Sequence, residues 1–141
     1  MSEPNVKQAV PLFGVGDIKA SARFYVEGMG FNMSNSWTPD GKLRWCWLDL
    51  GNAAVMLQEF WKDADHSNTP TSKVGVGISI NFICSDALSI YREFKSRGIE
   101  VARPFVGNGM WVTGVTDPDG YQLYFESPTD VAEETLFADE E

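Results

Sequence analysis

Trp45, Trp47 and Asp49 stand at alternate positions of the run Leu43 to Leu50, apart from Cys46, Leu48 and Leu50. In a strand that alternation sorts side chains to opposite faces. Cys46, Leu48 and Leu50 have the character of core under a helix. Two tryptophans and an acid have that of a binding wall. Aromatic faces beside a carboxylate suit flat heteroaromatic or cationic ligands, through stacking and cation–π contacts of about 0.5–2 kcal/mol each. A second reading has the tryptophans pack a subunit interface, where aromatic residues are also enriched, or fill the interior. Bond-making chemistry has fewer candidates. His66 and the two cysteines form no recognisable nucleophile–base pair. Cys46 and Cys84 lie in apolar, strand-like runs, where buried, reduced thiols are expected. No anion clamp is visible, since Lys7, Arg23 and Lys42 are scattered.

The stretch Thr116 to Glu126 is the strongest local signal. Pro118 and Gly120 supply a pre-set and a permissive φ, and Asp117 and Asp119 can hydrogen-bond back onto the turn. The strand after it sends Leu123 and Phe125 to one face and Gln122, Tyr124 and Glu126 to the other. A tight turn feeding a strand with a polar face is one way to place side chains in a cavity.

Composition narrows the class. A chain of 141 residues with 43% apolar content fits one domain that buries roughly 70% of its unfolded surface and needs no staple. Met1 to Lys7 is polar and no apolar signal region follows, which predicts a cytoplasmic protein with reduced thiols. No apolar run approaches membrane-spanning length. The formal net charge of −9 disfavours nucleic acid and anionic membrane as partners. Six of those charges, Asp130, Glu133, Glu134, Asp139, Glu140 and Glu141, lie in a tail without Lys or Arg, so the body carries only −3.

The elements that must position these residues repeat. Val6 to Val15 reads as a strand interrupted by Pro11, which marks an edge, a bulge or a change of partner. Asp17 caps a helix over Ile18 to Glu27 that Gly28 and Gly30 end. Strands follow over 31–38, 43–50 and 53–59, separated by Pro39-Asp40-Gly41 and Gly51-Asn52. The polar stretch from Phe60 to Lys73 reads as a loop. A strand over 76–84, a helix capped by Asp86 over 88–97, and strands over 100–106, 110–116 and 121–127 then repeat the order. The caps Asp17 and Asp86 are 69 residues apart, as are Gly51 and Gly120. The spacing predicts two strand–helix–strand–strand–strand modules, about 6–60 and 74–128, within one domain over 1–128. Residues 129–141 form the acidic tail, which either starts a short helix at Asp130 and docks Val131, Leu136 and Phe137, or is disordered.

Val15-x-Asp17, Ser21, Phe24-Tyr25 and Gly30-Phe31, together with Asp117-Pro118-Asp119-Gly120, resemble the vicinal oxygen chelate superfamily. That group includes glyoxalase I, extradiol dioxygenases, fosfomycin-resistance enzymes and bleomycin-resistance proteins. The resemblance covers about residues 6 to 128. It implies an α+β fold of two βαβββ modules whose mixed sheet curls around a cavity, usually in a homodimer. Ala9-Val10-Pro11-Leu12 with Asp17 is most similar to the bleomycin-resistance branch, where a proline in the first strand accompanies exchange of the N-terminal strand between subunits.

Metal-dependent members of that family hold a divalent ion with His and Glu from the first and last strand of each module. Carried over by the resemblance, those four positions fall on Val10, Leu57, Ser79 and Tyr124, none a usual ligand. The resemblance therefore implies no metal and no cofactor here. Glu59 and Glu126 each lie two residues beyond an expected ligand, which preserves strand face. They are either carboxylates at the cavity rim or solvated residues at strand ends. The same assignment puts Gln8, Val10, Leu12, Ser79 and Asn81 inside, with Trp45, Trp47 and Asp49 as a wall and Trp111 on the corresponding strand.

The expectation is a metal-independent protein that sequesters an aromatic or cationic small molecule, in the manner of drug or toxin resistance, in the cavities of a homodimer. The first alternative is an enzyme of the superfamily: a metal-dependent lyase, isomerase or dioxygenase, or a metal-free catalyst using Glu59 or Glu126 as base; the second is an interaction module whose cavity is vestigial.

Overall fold

Asp17 and Asp86 each begin a helix. The Asp17 carboxylate accepts the Ala20 amide at 3.2 Å ahead of α1 (Ile18–Arg23), and Asp86 accepts the Leu88 and Ser89 amides at 3.1 Å ahead of α2 (Ala87–Ser96). A π turn over Phe24–Gly28 continues α1. Gly30 and Gly98, with φ of 84° and 83°, turn the chain out of each helix in the left-handed region that glycine enters without cost.

The computed structural model describes residues 5–60, 70 and 74–138. Its strands are β1 (Leu12–Val15), β2 (Asn32–Trp37), β3 (Trp45–Leu50), β4 (Ala53–Glu59), β5 (Ser79–Ile83), β6 (Phe105–Gly107), β7 (Met110–Thr116) and β8 (Gln122–Pro128). They form two four-stranded sheets, ordered β1-β4-β3-β2 and β5-β8-β7-β6. In each, the first and last strand of the module are parallel, and the other pairs are antiparallel. The repeated βαβββ order read from the sequence is present. The edges differ. Residues 5–11 precede β1 outside any strand, and β6 starts only at Phe105, where residues 100–106 were expected to be a strand. The loop expected over 60–73, with His66, lies outside the described residues except at Phe60 and Pro70.

One core spans both modules. Phe13, Tyr25, Leu48 and Leu57 from the first pack with Phe82, Phe94, Leu123 and Phe125 from the second. Burying each such side chain stabilises the fold by about 1.5–3 kcal/mol. Phe31 meets Phe82 edge-on at 6.0 Å between ring centroids, and Phe82 stacks on Phe125 at 4.7 Å.

The turn after β7 then ties module two to α1. The Asp117 Oδ1 accepts the amides of Asp119, Gly120 and Tyr121, while its Oδ2 accepts the Tyr25 hydroxyl at 2.8 Å. Asp119 accepts the Gly16 amide at 2.9 Å and the Ser21 hydroxyl at 3.2 Å. The Tyr121 ring stacks on Phe13 at 4.2 Å, and its hydroxyl donates to the Gly14 carbonyl at 2.9 Å. The residues that carry the sequence resemblance thus meet each other across the two modules. They tie the two modules together.

Residues 129–138 are placed without a helix. Both Glu133 carboxylate oxygens accept amides of the Asn108-Gly109 turn, at 2.6 and 2.9 Å. Residues 134–137 then run beside β6: Glu134 donates to Val106, Val106 to Thr135, and Phe137 to Pro104. Phe137 meets Trp111 and Tyr91 edge-on, under the Arg92 guanidinium at 5.3 Å. Leu136 and Val131, expected to dock, stay exposed.

Candidate functional site

Cross-strand pairs decide which residues share a face. On module one, β3 pairs Trp45 with Gln58, Trp47 with Met56 and Asp49 with Ala54, while β2 sets Trp37 beside Trp45 and Asn35 beside Trp47. The intervening residues Cys46, Leu48, Val55 and Leu57 are fully buried against the helices. Trp45, Trp47 and Asp49 therefore do share the helix-free face, in company with Trp37, Met56 and Gln58. The Trp47 indole N–H donates to Asp49 Oδ1 at 2.8 Å, so the acid orients the ring. Hydrogen bonds from Ser34 and then Trp47 hold the Asp49 carboxyl below the usual carboxylate range.

On module two the helix-free face carries Ser79, Asn81, Gln122, Tyr124 and Glu126, because Ser79 pairs with Gln122 and Asn81 with Tyr124. Gln122 and Tyr124 border two cavities. One, of about 410 Å³, is lined by residues from Val74 to Ser79 and by Gly120. The other, of about 480 Å³, is lined by Glu100, Ala102, Arg103, Phe105, Gly114 and Thr116. A separate cleft of about 710 Å³ between the modules takes in Gln8 and Asn81 along with Ile83, Ile90 and Arg97. Val10 is half-buried in the segment before β1.

Three expected site residues are corrections. Leu57 is buried at 0% exposure in the core, so it meets no ligand. The β1 register sets Leu12 opposite Met56, whereas β5 sets Asn81 opposite Tyr124; the counterpart of Tyr124 is Met56, one residue from Leu57. A one-residue slip reverses every face in a strand. Glu59 follows the same parity. Its Oε2 accepts the Ile18 amide at 3.1 Å, as Ser127 accepts the Ala87 amide at 2.8 Å, and its Oε1 pairs with Arg44 at 3.0 Å. Glu59 therefore supports the start of α1, and it also borders a small pocket with Trp37, Arg44 and Gln58. Trp111 shares its face with Ser127 and Thr113, both bonded to the start of α2, and Phe137 covers it. It belongs to the helix side. Trp37, Met56 and Gln58 share the helix-free face without having been singled out in the sequence. The hairpin around Pro39-Asp40-Gly41 was the signal for Trp37, since pairing across it aligns Trp37 with Trp45.

The family's metal does not fit this donor set. Val10, Met56, Ser79 and Tyr124 offer an alkyl group, a thioether and two hydroxyls, and a divalent ion in such a fold needs imidazole or carboxylate. Among the described residues no three His, Cys, Asp or Glu side chains gather at one point. Both cysteines are free thiols, and burial pushes the Cys46 thiol up to about 11, far from an active nucleophile. No helix among the described residues is long and apolar enough to cross a membrane.

Paired βαβββ modules with helices on one side and open sheet faces on the other define the class. The Glyoxalase/Bleomycin resistance protein/Dioxygenase superfamily profile matches residues 7–125, and the chain belongs to that superfamily. Among solved structures, the fold is similar to a bleomycin-binding protein complexed with bleomycin, at 20% identity over 88% of this chain and 100% of that one, TM-score 0.66. It is also similar to TnmS3, an antibiotic binding protein from Streptomyces sp. CB03234, at 19% identity over 90% and 100% of the two chains, TM-score 0.63. A glyoxalase/bleomycin resistance protein/dioxygenase from Nocardioides matches at 15% identity over 98% and 92%, TM-score 0.67. No curated protein sequence matches the chain.

Proposed function

We propose that this chain is a metal-independent binding protein that sequesters an aromatic or cationic small molecule, as a homodimer, in the manner of drug or toxin resistance. The observation that carries the reading is the wall of Trp37, Trp45 and Trp47 on a face no helix covers, with Trp47 held in place by Asp49. Large aromatic surface left open beside a carboxylate is costly for a purely structural role and apt for stacking a flat cation. Similarity in fold to a bleomycin-binding protein and to an antibiotic binding protein supports the same reading. Glu59, one of two bases available to a metal-free catalyst, is engaged by the Ile18 amide and Arg44.

The test is calorimetric titration with proflavine, a flat aromatic cation. Binding is expected, and Trp47→Ala should weaken it by more than about 1 kcal/mol, as for a desolvated aromatic anchor. Added salt separates a cavity ligand from long-range attraction to an acidic surface, because only the latter is screened away. Affinity that vanishes with salt and ignores Trp47→Ala defeats the proposal. Chelators should leave the melting temperature unchanged, since a bound ion would stabilise the folded state alone. One equivalent of a divalent metal in the purified protein would overturn the metal-independent part.

A further inference from the structure

We infer that the module-two cavity takes a flat, uncharged aromatic ring with a hydrogen-bond acceptor on its edge, stacked on a face of Tyr124 beside Gly114 and bound at that edge by the Gln122 amide. The inference rests on the binding reading above and names the ligand class for the second of its two open faces.

Gly114 lies directly across from Tyr124 in the β7–β8 pair. A Cβ on Gly114 would stand 3.1 Å from Tyr124 Cε1 and 3.2 Å from Cδ1, closer than side chains ordinarily approach. Gly114 does not adopt the left-handed backbone, so chain geometry does not require glycine there. The missing side chain is what lets the tyrosine ring lean across β7. Covering a strand glycine with an aromatic ring on the neighbouring strand stabilises a sheet. Only Cδ1 and Cε1 of the ring come within 4 Å of a Cβ placed on Gly114, so the tyrosine meets Gly114 with its edge and keeps its faces for whatever occupies the cavity. Ala102, whose amide donates to the Gly114 carbonyl, lines the same cavity, so two of the smallest side chains leave room beside the ring.

The polar groups select among rings. The Thr116 hydroxyl donates to Gln122 Oε1 at 3.2 Å, which commits the amide oxygen and leaves the amide nitrogen to donate. A carbonyl or ring nitrogen on the ligand edge completes that bond. Glu100 and Arg103 line the cavity with opposite charges, so neither sign of ligand charge is favoured. Module one differs, for Asp49 stands beside its tryptophans. Volumes of about 410 and 480 Å³ on either side of Gln122 and Tyr124 fall in the range of small-molecule sites.

The experiment compares two probes on the intact protein: lumichrome, a flat uncharged ring with edge carbonyls, and proflavine, a flat cation with none. Lumichrome should bind. Gly114→Ala, which displaces the tyrosine ring, and Tyr124→Leu, which removes it, should each weaken lumichrome about tenfold with melting temperatures retained. Gln122→Leu should weaken lumichrome and leave proflavine unchanged. No lumichrome binding at millimolar concentration overturns the inference, as does lumichrome binding within twofold of wild type in both Gly114→Ala and Tyr124→Leu. Proflavine binding that is lost in Trp47→Ala would in those cases leave the broader binding reading standing, so the two failures are distinguishable.

Discussion

Asp117 carries more of the fold than any other polar side chain on the module boundary. It is buried, and it gathers three backbone amides and the Tyr25 hydroxyl. Asp117→Ala would strand those donors, Tyr25 among them at 0% exposure, and should cost about 3 kcal/mol in urea unfolding. Desolvation raises the folded pKa of Asp117 above 3.8, against the lowering effect of its hydrogen bonds. The folded chain then binds this proton more tightly than the unfolded chain. The group's stabilisation is complete below the ordinary value and declines as pH rises through the raised one. Asp117→Asn does not titrate, so the stability of wild type relative to that variant should fall with rising pH across the mildly acidic range; a constant difference would refute the assignment. Sequence reading placed Asp117 in its turn correctly and could not see Tyr25, which is 92 positions away. Residues that serve local geometry are legible, and their distant partners are set by packing.

At the scale of elements, the helices and the alternation of β3 and β8 were legible, and the register of β4 was not. Both caps act where Asp17 and Asp86 stand in the sequence, because capping depends on neighbours two or three residues away. Parity depends on loops. Gly51-Asn52 makes a two-residue hairpin between Leu50 and Ala53, whereas five residues join Thr116 to Gln122. Matching glycines 69 apart therefore do not give matching registers: Met56, not Leu57, stands where Tyr124 does, and Leu57 and Glu59 fall on the other face. The terminal segment is a second case, since nothing local announces that residues 134–137 will run beside β6. Phe137→Ala should lower stability by about 1–2 kcal/mol and red-shift tryptophan emission as Trp111 becomes wetter. Truncation after Pro128 should do more, by also uncovering the β6 edge, and should promote aggregation. Unchanged stability in both would mean that this segment does not hold its place in solution.

At the scale of the whole molecule, each helix-free face leaves apolar side chains open: Leu12, Trp37, Ile83 and Phe105 are 49%, 52%, 68% and 41% accessible. A second copy that set one face against the other's counterpart would cover them with closed two-fold symmetry. Sedimentation at micromolar concentration should accordingly give twice the 15.7 kDa chain mass, and a monomer would remove the paired-cavity arrangement. The turn at Asp117 to Gly120 has another consequence, one of timing. On a ribosome, module one emerges with Tyr25, Ser21 and the Gly16 amide lacking the groups that will satisfy them, which arrive about a hundred residues later. Neither half should then fold cooperatively alone. Fragments ending at Phe60 and beginning at Val74 should each be unstructured when produced separately and should complement into the native fold when mixed. A first fragment that melts cooperatively by itself would show that the duplicated unit still stands alone.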